Sequence, residues 1–428
     1  MRASFFTVGD ETVTTETARS MEWPTVVGSQ PCFVVFSDDW GEHPSSCQHI
    51  FRRVSEHYRV IWVNTIGMRS PTLTFSDFRK ALTKLGKMFF GKQTDSRSHK
   101  QWSVKVLSPP MLPFGRYRWV RWLNRKSVAR SLRRATSGND GGKQIVVSTV
   151  PNACDYVDVI PQSQIVYYCV DDFSEWPGLD KALILGMEDL LVQKSTLILA
   201  TSQNLRDRLA RSGKPTEMLS HGVDVELFSQ NFAKDHMLLG SINRPRVGFF
   251  GLFDERFDQP LLAEVASRLP EVSFVIAGQV VCDTRVLDGK ANARFVGPVV
   301  YEELPALIRG LDVLIIPYNV NELSNSLSPL KLKEYLATGK PIISTPIAAA
   351  EDFLDCIAVC DGADQWVEAI GSKLSGEGPA AARRRLERVA GDSWESKAIR
   401  LVQASFLGNA GPETAAADTI RDTASSGR

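Results

Sequence analysis

Two α/β domains, each built on a parallel sheet, are predicted for this chain from three observations. Short apolar runs recur between longer amphipathic stretches, the layout of strands alternating with helices. The runs are apolar throughout, which suits strands covered on both faces. The length of 428 residues also exceeds what one hydrophobic core usually serves.

In chain order, the first half offers CFVVFS (32–37), RVIWVN (59–64), SVKVLS (103–108), QIVVST (144–149), QIVYYCV (164–170) and TLILAT (196–201). The second half offers RVGFFG (246–251), VSFVIAG (272–278), ARFVG (293–297), DVLIIPY (312–318) and PIIST (341–345). The polar stretch between them separates two Rossmann-like domains. The expected boundaries are a flexible tail at 1–30, a first domain at 31–228, a linker at 229–245 and a second domain at 246–379. A helical segment at 380–407 is expected to pack back on the first domain, and the small, polar 408–428 to be disordered.

Composition narrows the class. With 43% hydrophobic and 23% charged residues the chain reads as globular. The first thirty residues lack an apolar core, so no signal peptide is expected, and no apolar run reaches the roughly 20 residues of a spanning helix. Seven cysteines form no Cys-x-x-Cys pair; reduced thiols, a cytoplasmic location and no metal site are expected.

The most telling stretch is 312–346, DVLIIPYNVNELSNSLSPLKLKEYLATGKPIISTP. It reads as strand, polar loop, short helix, turn and strand. Ser328 can cap the helix and Pro329 falls near its first position. The free amides of that turn, the helix dipole and Lys331 form a seat for a diphosphate, at the strand ends where open parallel sheets bind ligands. This points to a nucleotide-linked substrate.

Other positions leave two readings open. Gly251 ends a buried strand, either to let backbone approach a phosphate or as a plain turn into a helix starting with LFDERFD. Glu334, three residues after Lys331, is a ribose or sugar ligand or a surface ion pair with it. Phe295, Val296, Gly297 and Tyr318 end strands at the same rim and hold a base or simply pack. Asp171 and Asp172 follow a strand, where acids are costly unless solvated, paired or used; one is a general base or a helix cap. Asp38 and Asp39, with His43 nearby in FSDDWGEHPSS, are acceptor-side candidates. His221 is structural by default. No Asp-x-Asp triplet is present, which disfavours a transferase site built on a metal held by one.

Residues 79–134 carry sixteen Lys/Arg and one acid, interleaved with aromatics. Trp119, Arg121, Trp122 and Arg125 lie in a basic, aromatic helical stretch suited to an anionic membrane surface. A nucleic-acid patch and a solvated face share the composition; the membrane reading is preferred and no nucleic-acid partner is expected.

Taken together, these residues resemble a GT-B glycosyltransferase of the group that builds bacterial polysaccharides, a fold of two Rossmann-like domains with parallel sheets facing across a cleft. ARFVGPVVYEELPALIRGLDVLIIPY followed by SPLKLKEYLATGKPIIST is similar to the group's donor-binding core, and SHGVDVELF to its approach to the linker. The resemblance implies that Ser328, Pro329 and Lys331 contact the donor diphosphate, with Gly251 opposite. Phe295 to Gly297 and Tyr318 would surround the base and Glu334 the ribose. Many retaining members carry a second Glu in this helix, eight positions before the one matched by Glu334; here that position is Ser326. The pattern instead resembles inverting enzymes such as xanthan glucuronosyltransferase, and teichuronic acid type glycosyltransferases, which raises Asp171 as base with Asp172 behind it. The implied activity is transfer from a nucleotide-sugar, a UDP-sugar foremost, to a lipid-linked or glycan acceptor, without cofactor, on the cytoplasmic face of the membrane. A nucleotide-sugar epimerase and a non-catalytic donor-binding scaffold are the alternatives.

Overall fold

A computed structural model of the protein describes residues 5–8, 11–14, 22–24, 30–41, 45–65, 104–113, 115–137, 142–161, 163–176, 178–230, 234–322, 324 and 330–407. They fall into two compact units. One is Glu22–Ser220 with the chain from Lys397; the other is His221–Ser396 with a small antiparallel pair, β1 (Phe5–Val8) and β2 (Glu11–Thr14).

The first unit is built on β3 (Cys32–Ser37), β4 (Arg59–Asn64), β5 (Val104–Leu107), β6 (Gln144–Ser148), β7 (Gln164–Cys169), β8 (Leu197–Ala200) and β9 (Thr216–Met218). All pair in parallel, in the order β5-β4-β3-β6-β7-β8-β9. The central strands β3 and β7 are buried at every position, as their uninterrupted apolar runs require. Helices α1 (Ser46–Val54), α2 (Arg118–Thr136), α3 (Lys181–Lys194) and α4 (Gln203–Ala210) accompany it. Helix α2 buries Val120, Asn124, Val128, Leu132 and Ala135, a stripe at spacings of three and four. Its buried Asn124 is satisfied by the Leu112 N–H and C=O, at 2.8 and 2.9 Å.

The second unit is built on β10 (Arg246–Phe250), β11 (Ser273–Ala277), β12 (Ala293–Gly297), β13 (Val313–Ile316), β14 (Ile342–Ser344) and β15 (Ala358–Val359), in the order β12-β11-β10-β13-β14-β15 and again parallel. Its helices are α5 (Val225–Phe228), α6 (Gln259–Arg268), α7 (Leu304–Arg309), α8 (Leu330–Ala337), α9 (Ala348–Glu351), α10 (Gly362–Leu374) and α11 (Pro379–Val389). The sheet order reverses direction at β10, between β11 and β13, and the ligand crevice of an open α/β sheet lies outside the strand ends at such a point.

The boundaries differ from the sequence expectation. The first unit ends at Ser220. Val223 pairs with Ser393, a Cβ on Gly222 would stand 2.5 Å from the Trp394 ring, and Phe228 stacks on Phe250 at 6.2 Å. The polar stretch 229–245 is not a free linker from residue 234 on, because Leu239 is fully buried and Asp235 pairs with Arg244 and Arg246. Residues 22–24, assigned to the tail by composition, pack on the first unit: Trp23 stacks on His57 at 4.1 Å and the Tyr58 hydroxyl donates to the Pro24 carbonyl at 2.7 Å. The segment 380–407 divides. Helix α11 belongs to the second unit, where the buried Arg385 donates to the Gly339 and Cys356 carbonyls. Helix α12 (Trp394–Leu407) belongs to the first unit from Lys397, whose Nζ lies 3.0 Å from Ser220 Oγ. The tail 408–428 lies outside the described residues.

Candidate active site

At the end of β10 the chain turns at Gly251, with φ +134°. A Cβ there would stand 1.8 Å from Lys331 Cε, so only glycine admits the lysine stem. Gly278 ends β11 with φ +144°, and a Cβ on it would stand 1.8 Å from the Gly251 carbonyl oxygen. The Gly251 N–H donates to the Ala277 carbonyl at 2.8 Å and the Gly278 N–H to the Gly297 carbonyl at 2.8 Å. These amides are therefore spent within the sheet rim. The role of Gly251 is to make room for Lys331 and not to offer its own N–H.

Lys331, in the first turn of α8, donates from Nζ to the Tyr318 hydroxyl at 2.7 Å. The ammonium lies 4.9 Å from the Phe249 ring centre and 5.5 Å from that of Tyr318. Among the described residues it has no carboxylate partner, whereas Lys333, two positions on, is ion-paired to Asp392 at 2.6 Å and donates to the His221 carbonyl at 2.8 Å. His221 thus contributes its backbone to the second unit. Tyr318 is 2% exposed, so its ring lies beneath the lysine and is not open to a base. Ser326, Ser328 and Pro329 lie outside the described residues.

Glu334, one turn on, is buried, which removes the surface ion-pair reading. Burial pushes its carboxyl up to about 7, opposed by the charge of Lys331 and by the polar influence of the nearby Tyr301 hydroxyl. Phe295 is 39% exposed and rests edge-on against the buried Phe253 at 5.2 Å, with Val296 and Gly297 half-buried beside it. Of the positions singled out on this unit, Phe295 is the aromatic ring that remains available to a ligand.

In the first unit, Asp171 and Asp172 follow β7. Asp171 accepts from Trp176 Nε1 at 2.8 Å and from the Asp172 N–H at 2.8 Å. Asp172 caps the short turn Phe173–Glu175 through Ser174, at 3.1 Å to its N–H and 2.6 Å to its hydroxyl, and faces Arg208 at 3.7 Å. The cap reading thus describes Asp172. Asp38 accepts from Ser37, Ser45 and Gln48, and the Asp39 carbonyl from Gln48 at 3.2 Å. His43 lies outside the described residues.

The basic helix α2 divides its predicted membrane residues. Trp119 and Trp122 are 61% and 53% exposed, with Tyr117 and Leu123 beside them and Lys126 over the Trp122 ring at 3.7 Å. Arg121 and Arg125 are turned back instead: Arg121 pairs with Asp155 at 2.6 Å and Arg125 with Asp158. They are half-buried ion-pair partners, a correction to the expectation that they face lipid. Composition could not show this, because it does not reveal which cations meet the acids of the 151–158 turn. Among the described residues, no helix is long and apolar enough to cross a membrane.

Four residues escaped the sequence reading. Gly278 was visible only as the end of a strand. Arg256, in the loop after β10, is bound to Asp254 at 2.6 Å and lies 5.8 Å from the Tyr318 ring centre. The predicted helix after Gly251 begins only at Gln259, behind an Asp258 cap, because 254–258 is hydrogen-bonded to 317–319. Glu188 and Arg208 pair at 2.5 Å below the Asp172 turn, and Glu188 also accepts from Tyr167 at 2.7 Å. DERFD, with charges inside a loop, was the available signal for Arg256; Glu188 and Arg208 read as ordinary helix charges.

Residues 244–375 match the family described as glycosyl transferases group 1. The match falls within the second unit. A putative teichuronic acid biosynthesis glycosyltransferase, TuaH, of Bacillus subtilis is 26% identical over 264 residues, 58% of this chain and 66% of that protein. A D-inositol 3-phosphate glycosyltransferase of Mycobacteroides abscessus is 24% identical over 238 residues, 50% of this chain and 52% of that protein. The alignments thus span less than two thirds of each of these relatives. Among solved structures, sucrose-phosphate synthase of Thermosynechococcus elongatus superposes with a TM-score of 0.63 at 14% identity, over 87% of this chain and 98% of that one. Anabaena HepE in complex with UDP-glucose does so with a TM-score of 0.60 at 13% identity, over 88% and 99%. The chain therefore has the GT-B fold, as its motifs led one to expect.

Proposed function

We propose that this glycosyltransferase moves a sugar from a nucleoside diphosphate donor, a UDP-sugar foremost, to a hydroxyl of a lipid-linked or polysaccharide acceptor in bacterial cell-surface glycan synthesis. One observation carries the reading. In a group 1 glycosyltransferase domain, the Lys331 ammonium is held at the strand ends by a hydroxyl and two rings, leaving its charge for an anion. The UDP and UDP-glucose bound by HepE favour uridine as the nucleoside.

In this reading Asp171 takes the acceptor proton as the acceptor oxygen bonds to the anomeric carbon. The bond from that carbon to the diphosphate oxygen breaks, UDP leaves, and the anomeric configuration inverts. Lys331 and the first turn of α8 meet the charge on the departing diphosphate, so the proposed step needs neither metal nor cofactor. Phe295 to Gly297 take the base and Glu334 the ribose. The exposed Tyr117, Trp119, Trp122, Leu123 and Lys126 rest on the anionic inner face of the cell membrane, where the acceptor lipid would lie.

The test is incubation with a panel of UDP-sugars and a bacterial lipid extract. Free UDP and a glycosylated lipid with inverted anomeric configuration are expected. Isomerised sugar from donor alone would establish the epimerase alternative instead, and UDP binding without transfer the scaffold.

A further inference from the structure

The geometry points to Tyr318 as a positioning residue that aims Lys331 at the donor diphosphate. The inference rests on the reading of Lys331 as the diphosphate cation. A lysine side chain has four rotatable bonds, and a single exposed charge seldom stays where chemistry needs it. Here the stem of Lys331 fills the space left by the absent Cβ of Gly251, while its Nζ meets the Tyr318 hydroxyl at 2.7 Å.

Tyr318 is itself held from several sides. Its N–H donates to Thr345 Oγ1 at 3.1 Å, and the Thr345 hydroxyl donates to its carbonyl at 2.7 Å. Its ring meets Phe249 at 6.2 Å, its backbone bridges to Phe257, and Arg256 lies near the ring at 5.8 Å. The phenol is thus a fixed post, and the glycine gap and the phenol together restrict the lysine to one direction. A neutral post orients the ammonium without spending its charge, which a carboxylate in the same place would do.

Tyr318→Phe keeps the ring and removes the hydroxyl. UDP affinity and kcat/KM for the donor should each fall about tenfold, the size expected for a hydrogen bond to a charged group. Affinity for uridine, which has no phosphates, should stay within about twofold. In a Lys331→Met background the Tyr318→Phe change should have almost no further effect on UDP binding, because the two residues act as a unit. Wild-type UDP affinity in Tyr318→Phe, an equal loss for uridine and UDP, or losses that multiply in the double variant would each overturn the inference. A Lys331→Met protein that binds UDP as tightly as wild type would overturn the diphosphate reading itself. Should Tyr318→Phe fail to fold, Thr345→Val frees the same post without touching the lysine. It should lower UDP affinity in the same direction and spare uridine; an unchanged UDP affinity there would count against the post.

Discussion

The strand ends of the two units handle charge in opposite ways. In the second unit a cation, Lys331, is held by neutral groups, the Tyr318 hydroxyl and two aromatic rings. In the first, acids are held by donors, and the two neighbours there differ. Asp172 has Arg208 at 3.7 Å and caps a turn, while Asp171 accepts from the Trp176 indole and a backbone amide, both uncharged. A neutral partner fixes geometry and leaves charge to act elsewhere, whereas a charged partner consumes it. In the proposed reading Lys331 and Asp171 act on a ligand, whereas Asp172 and Lys333, each facing a charge of opposite sign, hold the fold.

The largest effects are expected at the acids. Asp171→Asn should lower turnover by about 10³-fold, within the range for losing a general base, with UDP affinity unchanged in a binding titration. Asp172→Asn should retain most turnover and instead lower thermal stability by about 1 kcal/mol for the weakened cap. If the two phenotypes are exchanged, the assignment of the base to Asp171 fails.

Next in size is the cation. Lys331→Ala should weaken UDP binding and lower kcat together, on the order of 10²-fold in kcat/KM, as expected for removing one charge that stabilises a leaving group. Lys333→Ala should act on melting temperature first, because its ion pair to Asp392 is half-buried.

Glu334 adds a dependence of stability on pH. Its carboxyl is raised to about 7 by burial, so the folded protein keeps a proton that the unfolded chain has already released. The folded state therefore loses stability as pH rises from the ordinary carboxyl range to about 7, a loss on the order of 3 kcal/mol at most. Melting curves of Glu334→Gln should lack this slope and exceed wild type at pH 8. Parallel curves for the two proteins would show that the carboxyl is not desolvated.

The smallest effect is expected on α2. Replacing Trp119 and Trp122 with Ala should reduce flotation with anionic liposomes severalfold and leave the melting temperature within about 1 °C, since both are exposed. Arg121→Ala should do the reverse, because its guanidinium is committed to Asp155.

Much of the fold was legible because short apolar runs such as CFVVFS and QIVYYCV, rich in β-branched and aromatic residues, suit buried strands, and they fall within a residue or two of β3 and β7. The short edge strands β9 and β15 were not, since TEM and AV carry no pattern. Lys331 was singled out from SPLK, yet its holder was not, because no sequence pattern pairs a lysine with a tyrosine thirteen positions before it. The Arg121 and Arg125 expectation failed for a related reason. Helical spacing places residues on faces, but the acids that claim them sit 34 and 33 positions on, in and just after the turn that begins at Pro151.

Whether the charge at the strand ends of the second unit is reserved for a diphosphate is decided by titrating UDP into Lys331→Ala beside Asp171→Asn. The lysine variant should bind at least about tenfold more weakly than wild type, and the aspartate variant as wild type. Unchanged UDP affinity in Lys331→Ala would contradict the diphosphate reading.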